Sequence, residues 1–129
     1  MEHTRLLIID EHESVRQALV SRLQQTGEVE VIGSTGSSKE GVLQVDALRP
    51  NIVLLETKRS DGTGLETCRR IARSHPDVTV IVLTSYDDED ERQAAYMAGA
   101  AHYILKEIDS DQLVREILGS KSPPGAQCA

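Results

Sequence analysis

The amino-acid sequence predicts one α/β domain built on a parallel, doubly wound sheet. Five short apolar runs alternate with five stretches whose apolar residues recur at helical spacing. The strongest runs are continuously apolar, which is typical of strands covered on both faces. The chain has 129 residues, a length that favours one domain. Because parallel strands must be joined by crossover connections, the intervening helices are expected to pack on both faces of the sheet.

The first strand and helix are predicted from the apolar pattern near the amino terminus. Residues 6–9 form a continuous apolar run of strand length. The apolar residues of the following helix recur at intervals of three and four: Val15, Ala18, Leu19 and Leu23. Gly27 is expected to end this helix, since glycine commonly follows the last helical residue.

The second strand and helix follow directly. Val29, Val31 and Ile32 predict the strand. Ser37 and Glu40 stand three residues apart, the spacing of a capping box, and predict a helix that runs to about Leu48.

The third strand precedes a polar loop. Residues 51–55 follow a proline and form an apolar run, and Glu56 ends it. Thr63 and Glu66 match a second capping box. The helix that follows carries one apolar stripe: Leu65, Cys68, Ile71 and Ala72. Pro76 is expected to end this helix.

The fourth strand has the clearest pattern, over residues 78–83, with Thr84 and Ser85 at its end. Residues 87–98 predict a helix whose acidic residues fall in the first turn, where the helix dipole favours negative charge. Either Ser85 or Asp87 is expected to cap this helix. Gly99 is expected to end it.

The fifth strand is predicted over residues 101–105, with Lys106 just past it. Asp109 or Ser110 is expected to cap the last helix, whose apolar residues are Leu113, Val114, Ile117 and Leu118. Residues 1–119 are therefore expected to form the domain, and residues 120–129 a linker or disordered tail.

Composition limits the classes of function. The formal net charge of −7 disfavours direct binding of nucleic acid, which requires clustered Lys and Arg. No apolar run approaches the roughly 20 residues that a membrane helix needs, and the amino terminus lacks a signal-peptide pattern. Cys68 and Cys128 have no metal-ligand spacing and are expected to be free thiols. These features indicate a cytoplasmic protein that does not contact membranes.

Polar side chains follow four of the predicted strands. Asp10 and Glu11 follow the first strand, Glu56 ends the third, Thr84 follows the fourth and Lys106 follows the fifth. Because parallel strands end on one rim of the sheet, where such folds bind ligands, these side chains are expected to converge. Carboxylate oxygens suit a hard cation such as Mg²⁺, and Lys and Thr suit an anionic phosphoryl oxygen.

This ordered set resembles the active site of bacterial response-regulator receiver domains, and the likeness covers about residues 5–118. It is greatest to receivers that precede a LuxR-type helix-turn-helix. The matching stretches are residues 7–13 (LIIDEHE), 61–66 (DGTGLE), 83–86 (LTSY), 98–100 (AGA) and 103–106 (YILK). The resemblance implies a flavodoxin-like, CheY-like (βα)5 fold with strand order 2-1-3-4-5.

The resemblance also implies a metal site. Asp10 and Glu11 would hold Mg²⁺, and Glu56 and the backbone carbonyl of Lys58 would complete its ligands. Such an ion is a possible cofactor of this chain.

The resemblance further implies a phosphoryl site. Glu56 stands at the position of the aspartate that accepts the phosphoryl group in the family. Thr84 and Lys106 would bind phosphoryl oxygens. Tyr103 would report the activation state by its inward or outward position.

Two residues depart from the family pattern. Ser60 replaces a usual proline, which predicts a looser loop. Glu56 is longer than aspartate by one methylene, which moves the carboxylate by about a bond length. A misplacement of about 1 Å can slow a positioned reaction on the order of 10²-fold. Three explanations remain open at this position: a permanent partial mimic of the phosphorylated state, loss of phosphorylation control, or an engineered Asp→Glu substitution.

The sequence therefore predicts the signal-input domain of a two-component response regulator, atypical at Glu56 and not an enzyme. Its expected partners are a histidine kinase or other signalling protein and possibly a second copy of the chain, with DNA contacted only through a further effector domain. The alternatives are an ordinary Mg²⁺-dependent acceptor with one Asp→Glu change and a stand-alone interaction module. A hydrolase of the aspartyl-phosphate type is disfavoured, since Glu56 does not supply its nucleophile.

Overall fold

A computed structural model describes residues 4–60 and 62–120, which form five strands and five helices in strict alternation. The elements are β1 Thr4–Ile9, α1 Glu13–Gln25, β2 Val29–Thr35, α2 Ser38–Leu48, β3 Ile52–Leu55, α3 Gly64–Ser74, β4 Thr79–Thr84, α4 Glu89–Met97, β5 His102–Leu105 and α5 Ser110–Ser120. Each predicted element is present, with bounds that differ by a few residues.

All neighbouring strands pair in parallel, in the order β2-β1-β3-β4-β5. This order confirms the flavodoxin-like fold. The three central strands are registered so that Ile9 lies beside Leu55, and Leu55 beside Val82. The carboxyl ends of β1, β3 and β4 therefore lie side by side, and Thr84 pairs with Leu105 to bring β5 to the same rim.

The core has two halves, one on each face of the sheet. Leu7 and Ile9 point to the face covered by α2, α3 and α4, while Leu6 and Ile8 point to the face covered by α1 and α5. Successive strand residues face opposite sides, so a strand buried on both faces must be continuously apolar. This explains the uninterrupted runs in β1, β3 and β4.

Helix α1 buries a narrower stripe than its apolar pattern suggests. Leu19 and Leu23 are buried, whereas Val15 and Ala18 are exposed. Gly27 follows the helix at φ +72°, the left-handed conformation that glycine adopts without steric cost.

The helix caps differ from prediction at two places. Ser37 accepts a hydrogen bond from Glu40 N–H at 3.1 Å, as the second helix requires. Thr63 makes no side-chain cap to α3, because its hydroxyl pairs with the Ser38 hydroxyl at 2.8 Å. Helix α4 is capped by Asp88, not by Ser85 or Asp87: its carboxylate accepts from the N–H groups of Asp90 and Glu91.

The last helix begins as predicted and extends slightly further. Asp109 accepts a hydrogen bond from Gln112 N–H at 2.8 Å. The helix includes Ser120, which is buried and donates its hydroxyl hydrogen to Ile117 O, so it passes the expected domain boundary by one residue. The rest of the predicted tail, with Cys128, lies outside the described residues. Within the described ranges, no helix is both long and apolar enough to span a bilayer.

Candidate functional site

The candidate site lies at the carboxyl rim of the sheet, where backbone pairing brings the predicted residues together. The N–H of Glu56 donates to Ile9 O at 3.0 Å, so Glu56 leaves β3 beside the residue that follows β1. The N–H of Lys106 donates to Thr84 O at 2.8 Å, which fixes Lys106 at the end of β4. Parallel pairing therefore accounts for the convergence of side chains that lie nearly 100 positions apart.

An ammonium group stands between two buried carboxylates. Lys106 Nζ is 2.6 Å from Asp10 Oδ2 and 3.0 Å from Glu56 Oε1. The side chains of Asp10 and Glu56 are 4% and 2% exposed, and that of Lys106 is 14% exposed. Charge-assisted hydrogen bonds at these distances are among the stronger polar interactions in proteins.

The second carboxylate oxygens are also engaged. Asp10 Oδ1 accepts from His12 N–H at 2.9 Å, and the imidazole Nδ1 lies 3.3 Å from the same oxygen. Glu56 Oε2 accepts from Lys58 N–H at 3.0 Å. Glu11 Oε1 accepts from Ser60 N–H at 2.9 Å. Each carboxylate is therefore held by a backbone amide, and Glu11 links the β1–α1 loop to the β3–α3 loop.

These contacts determine the ionisation of the central pair. Burial by itself would raise the pKa of Asp10, but the hydrogen bonds from Lys106 and His12 outweigh it and lower the pKa. Burial would lower the pKa of Lys106, yet its contacts with Asp10 and Glu56 raise it. The backbone amide of Ser60 lowers the pKa of Glu11, with a further contribution from the Arg59 charge. Asp10 and Lys106 are therefore both charged at neutral pH.

Thr84 and Tyr103 lie on the side of the site next to α4. Thr84 is fully buried, and its Oγ1 accepts from Tyr86 N–H at 3.2 Å. Tyr103 is buried and donates its hydroxyl hydrogen to Tyr86 O at 2.8 Å. The Arg92 guanidinium lies 4.8 Å from the Tyr103 ring centroid. Burial raises the pKa of Tyr103, as do nearby carboxylates on α4. The ring therefore occupies the inward position.

The Lys58 side chain lies at the mouth of the site and faces solvent. Its Nζ is 4.0 Å from Asp88 Oδ2 and 5.9 Å from the centroid of the Tyr86 ring. These groups line a cleft of about 620 Å³ that opens from the site, with Glu11 and His12 on its other side.

Two features of the β3–α3 loop were not predicted from the sequence. Arg59 is buried, and its guanidinium donates to Gly36 O on the β2–α2 loop. Gly64 lies against the Thr57 backbone so closely that a Cβ atom would overlap it. A charged residue in a polar loop gives no local signal of burial, and a close backbone approach is a property of packing alone.

The family resemblance of the sequence implies a Mg²⁺ site in this pocket, so the residues present can be compared with what such an ion needs. Asp10 and Glu11 are oxygen donors of the appropriate kind. Over residues 4–60 and 62–120, however, no group of three or more His, Cys, Asp or Glu side chains is placed to hold a metal ion. The ammonium of Lys106 lies between Asp10 and Glu56 instead.

Comparisons with known proteins identify a family. The family model described as "Response regulator receiver domain" matches residues 6–118. The chain is 35% identical over 113 residues to the DNA-binding transcriptional activator DevR/DosR of Mycobacterium tuberculosis, an alignment that covers 88% of this chain and 52% of that protein. It is 35% identical over 121 residues to the transcriptional regulatory protein LiaR of Bacillus subtilis, covering 93% and 57%. The chain spans about half the length of the curated relatives it matches.

Solved structures agree with this assignment. A LuxR-family DNA-binding response regulator from Staphylococcus aureus superposes with a TM-score of 0.84 at 26% identity, covering 92% of this chain and 99% of that one. A CheY-like receiver domain protein from Methanospirillum hungatei has the same fold, with a TM-score of 0.81 at 24% identity, covering 92% and 93%.

Proposed function

Because this chain belongs to the response regulator receiver domain family, we propose that it is the signal-input domain of a transcriptional response regulator that works without phosphorylation. Glu56 takes the place of the phosphoacceptor aspartate. In this proposal the Glu56–Lys106 ion pair maintains, without a phosphoryl group, an arrangement that phosphorylation produces in related domains.

The contact between Glu56 Oε1 and Lys106 Nζ, at 3.0 Å, carries the proposal. In the family this lysine position binds a phosphoryl oxygen. Here the ammonium already binds an oxygen of the residue that would have to be phosphorylated. A phosphoryl group on Glu56 would extend further towards Lys106 and Thr84, and both side chains are already enclosed in the site.

The position of Tyr103 supports the same proposal. Its ring is buried, and its hydroxyl is hydrogen-bonded to Tyr86 O at 2.8 Å. By resemblance to the family, the inward or outward position of this aromatic residue reports the activation state. An inward Tyr103 beside an unmodified Glu56 is consistent with a partial mimic of the phosphorylated state.

The likeness to transcriptional regulators supports a proposal about partners. DevR/DosR is described as a DNA-binding transcriptional activator and LiaR as a transcriptional regulatory protein. We propose that residues 1–120 form the cytoplasmic receiver and residues 121–129 a linker, with DNA bound only by an effector domain. A signalling protein such as a histidine kinase, or a second copy of the chain, would contact the receiver.

The test is the intact mass of the chain after incubation with acetyl phosphate and MgCl2. The wild-type chain is expected to gain no phosphoryl group. The Glu56→Asp variant restores the shorter acceptor and moves its carboxylate away from Lys106 Nζ, which is 3.0 Å from Glu56 Oε1, so it is expected to admit Mg²⁺ and gain one phosphoryl group. The Glu56→Gln variant has the same length as the wild type without the carboxylate, and it serves as the unreactive control.

Two results would contradict the proposal. A stable phosphoryl adduct mapped to Glu56 in the wild-type chain would identify an ordinary acceptor with an unusual residue. An unmodified Glu56→Asp variant that is folded by circular dichroism would show that Glu56 is not what prevents phosphorylation.

A further inference from the structure

We infer that the acidic pocket of this chain functions without a divalent cation, because its own lysine and arginine side chains supply the positive charge that such an ion would provide. This inference rests on the proposed function for the location of the site. It concerns a different property of that site, namely the affinity for Mg²⁺.

The first step of the argument is the position of Lys106. Its Nζ is within hydrogen-bond distance of both Asp10 and Glu56. An ion bound by these two carboxylates would compete directly with the ammonium. Because both carboxylates are almost fully buried, their charges interact strongly with whichever cation lies between them. Binding of Mg²⁺ therefore requires the displacement of Lys106 from two ion pairs.

The second step concerns two arginines that meet at the β2–α2 loop. Arg59 is buried and donates to Gly36 O. Arg16 donates to Asp10 O at 2.7 Å, and a Cβ atom on Gly36 would lie 2.9 Å from Arg16 Nη1. Both guanidinium groups are thus fixed beside the loop that carries Asp10 and Glu11.

The third step is the balance of charge. Of the described residues at the site, three cations lie near the carboxylates of Asp10, Glu11 and Glu56: Lys106 contacts two of them, the charge of Arg59 acts on Glu11, and Arg16 is held by the backbone carbonyl of Asp10. A divalent ion added to these cations would give the partly buried site an excess of positive charge. Uncompensated charge in such an environment is costly. The pocket is therefore balanced for the ion-free state.

The Glu11 carboxylate is also held by a hydrogen bond within the protein. Its Oε1 accepts from Ser60 N–H at 2.9 Å, and this bond draws the β3–α3 loop over the β1–α1 loop. Ser60 stands where the family usually has proline, which has no N–H to donate. The departure at this position therefore provides the donor that holds Glu11.

The experiment titrates MgCl2 into the purified chain by isothermal calorimetry, with ionic strength held constant by NaCl. The wild-type chain is expected to give no saturable heat. Arg59→Gln removes a charge but keeps a hydrogen-bond donor for Gly36 O, and Lys106→Met removes the competing ammonium. Each variant is expected to give saturable heat, with an affinity at least about tenfold above any that the wild type shows, because a like charge next to the ion has been removed. Arg69→Met, at an exposed position on α3, is the matched control and should behave as the wild type.

Saturable Mg²⁺ binding by the wild-type chain, as tight as that of Arg59→Gln, would overturn the inference. Folded Arg59→Gln and Lys106→Met variants that bind no more tightly than the wild type would also overturn it. If a variant does not fold, the wild-type titration alone tests the inference: saturable Mg²⁺ binding contradicts it, and no saturable heat supports it. A chain that binds Mg²⁺ yet gains no phosphoryl mass would refute this inference alone, whereas a phosphorylated Glu56 would refute the proposed function.

Discussion

Replacement of Lys106 by methionine tests whether the central ion pair determines the stability of this domain. Methionine keeps most of the apolar volume of the side chain but removes the ammonium. Asp10 and Glu56 then face each other without the cation that lies 2.6 and 3.0 Å from them. We expect a large loss of stability at neutral pH, because two carboxylates remain buried and uncompensated.

The size of the effect follows from burial. The two carboxylates are 4% and 2% exposed, so water cannot replace the lost partner. Removing one member of a buried ion pair typically costs about 3–5 kcal/mol. The amides of His12 and Lys58 continue to donate to the outer oxygens, which favours the lower end of that range. An expected loss of about 3 kcal/mol is a large fraction of the stability of a small domain.

On acidification, the contribution of Asp10 to stability should change in opposite directions in the wild type and in Lys106→Met. In the wild type, the pKa of Asp10 lies below its ordinary value of 3.8. Its contribution is therefore present above pH 3.8 and is lost as the pH falls through the lowered pKa. In Lys106→Met, burial is no longer opposed by the ammonium and raises the pKa of Asp10. The variant then gains stability from protonation of Asp10 at a higher pH than that at which the wild type loses its ion pair, so the difference in free energy of unfolding should shrink on acidification.

Urea denaturation followed by circular dichroism provides the measurement, at pH 7 and at several lower values. Lys58→Met is the matched control, since the Lys58 side chain is 44% exposed and its Nζ is 4.0 Å from Asp88 Oδ2; an exposed pair of this kind contributes at most about 1 kcal/mol. If Lys106→Met costs no more than Lys58→Met at pH 7, or if its deficit grows on acidification, the account of the site given above is wrong.

Three further predictions concern packing and ionisation elsewhere in the domain. Thr57 Oγ1 is buried with no hydrogen-bond partner among the described residues, so Thr57→Val should be neutral or stabilising in urea denaturation. Thr67→Val, at an equally buried site, breaks a 2.8 Å hydrogen bond to Thr63 O and should cost about 1 kcal/mol. Equal losses of stability in the two variants would show that the Thr57 hydroxyl also has a hydrogen-bond partner. Gly64→Ala should cost at least about 2 kcal/mol, because its Cβ overlaps the Thr57 backbone, while Gly119→Ala meets nothing within 4 Å and should not destabilise; a thermal melt distinguishes them. The ion-pair contribution of Lys106 should fall only above pH 10.5, as the pH rises through its raised pKa, and a loss between pH 7 and 9 in denaturation curves would refute this.

The order of elements could be predicted because it depends on local pattern. Continuous apolar runs mark strands buried on both faces, and β1 and β4 are buried as those runs require. The cap at Ser37 and the helix end near Gly27 also follow from residues within a few positions of each other. The strand order came from the family resemblance, since periodicity does not determine which strands are neighbours.

Some predictions from local pattern were wrong where a distant segment competes for the same group. Thr63 has the spacing of a capping residue, but its hydroxyl pairs with Ser38 on another helix. Asp88 caps α4, whereas the sequence pattern predicted Ser85 or Asp87. A hydroxyl or carboxylate near a helix start can bind several partners, and the packing of neighbouring helices selects one.

The sequence by itself determined the alternation of strands and helices and the set of polar residues that end the strands. Only the tertiary structure decided how those residues are paired: Lys106 between Asp10 and Glu56, Glu11 on the Ser60 amide and Arg59 on Gly36 O. Periodicity is a property of adjacent residues, since each side chain's direction follows from the local backbone. Ion pairs between residues up to 96 positions apart depend on distances that arise only after the sheet has formed and its loops have packed against one another.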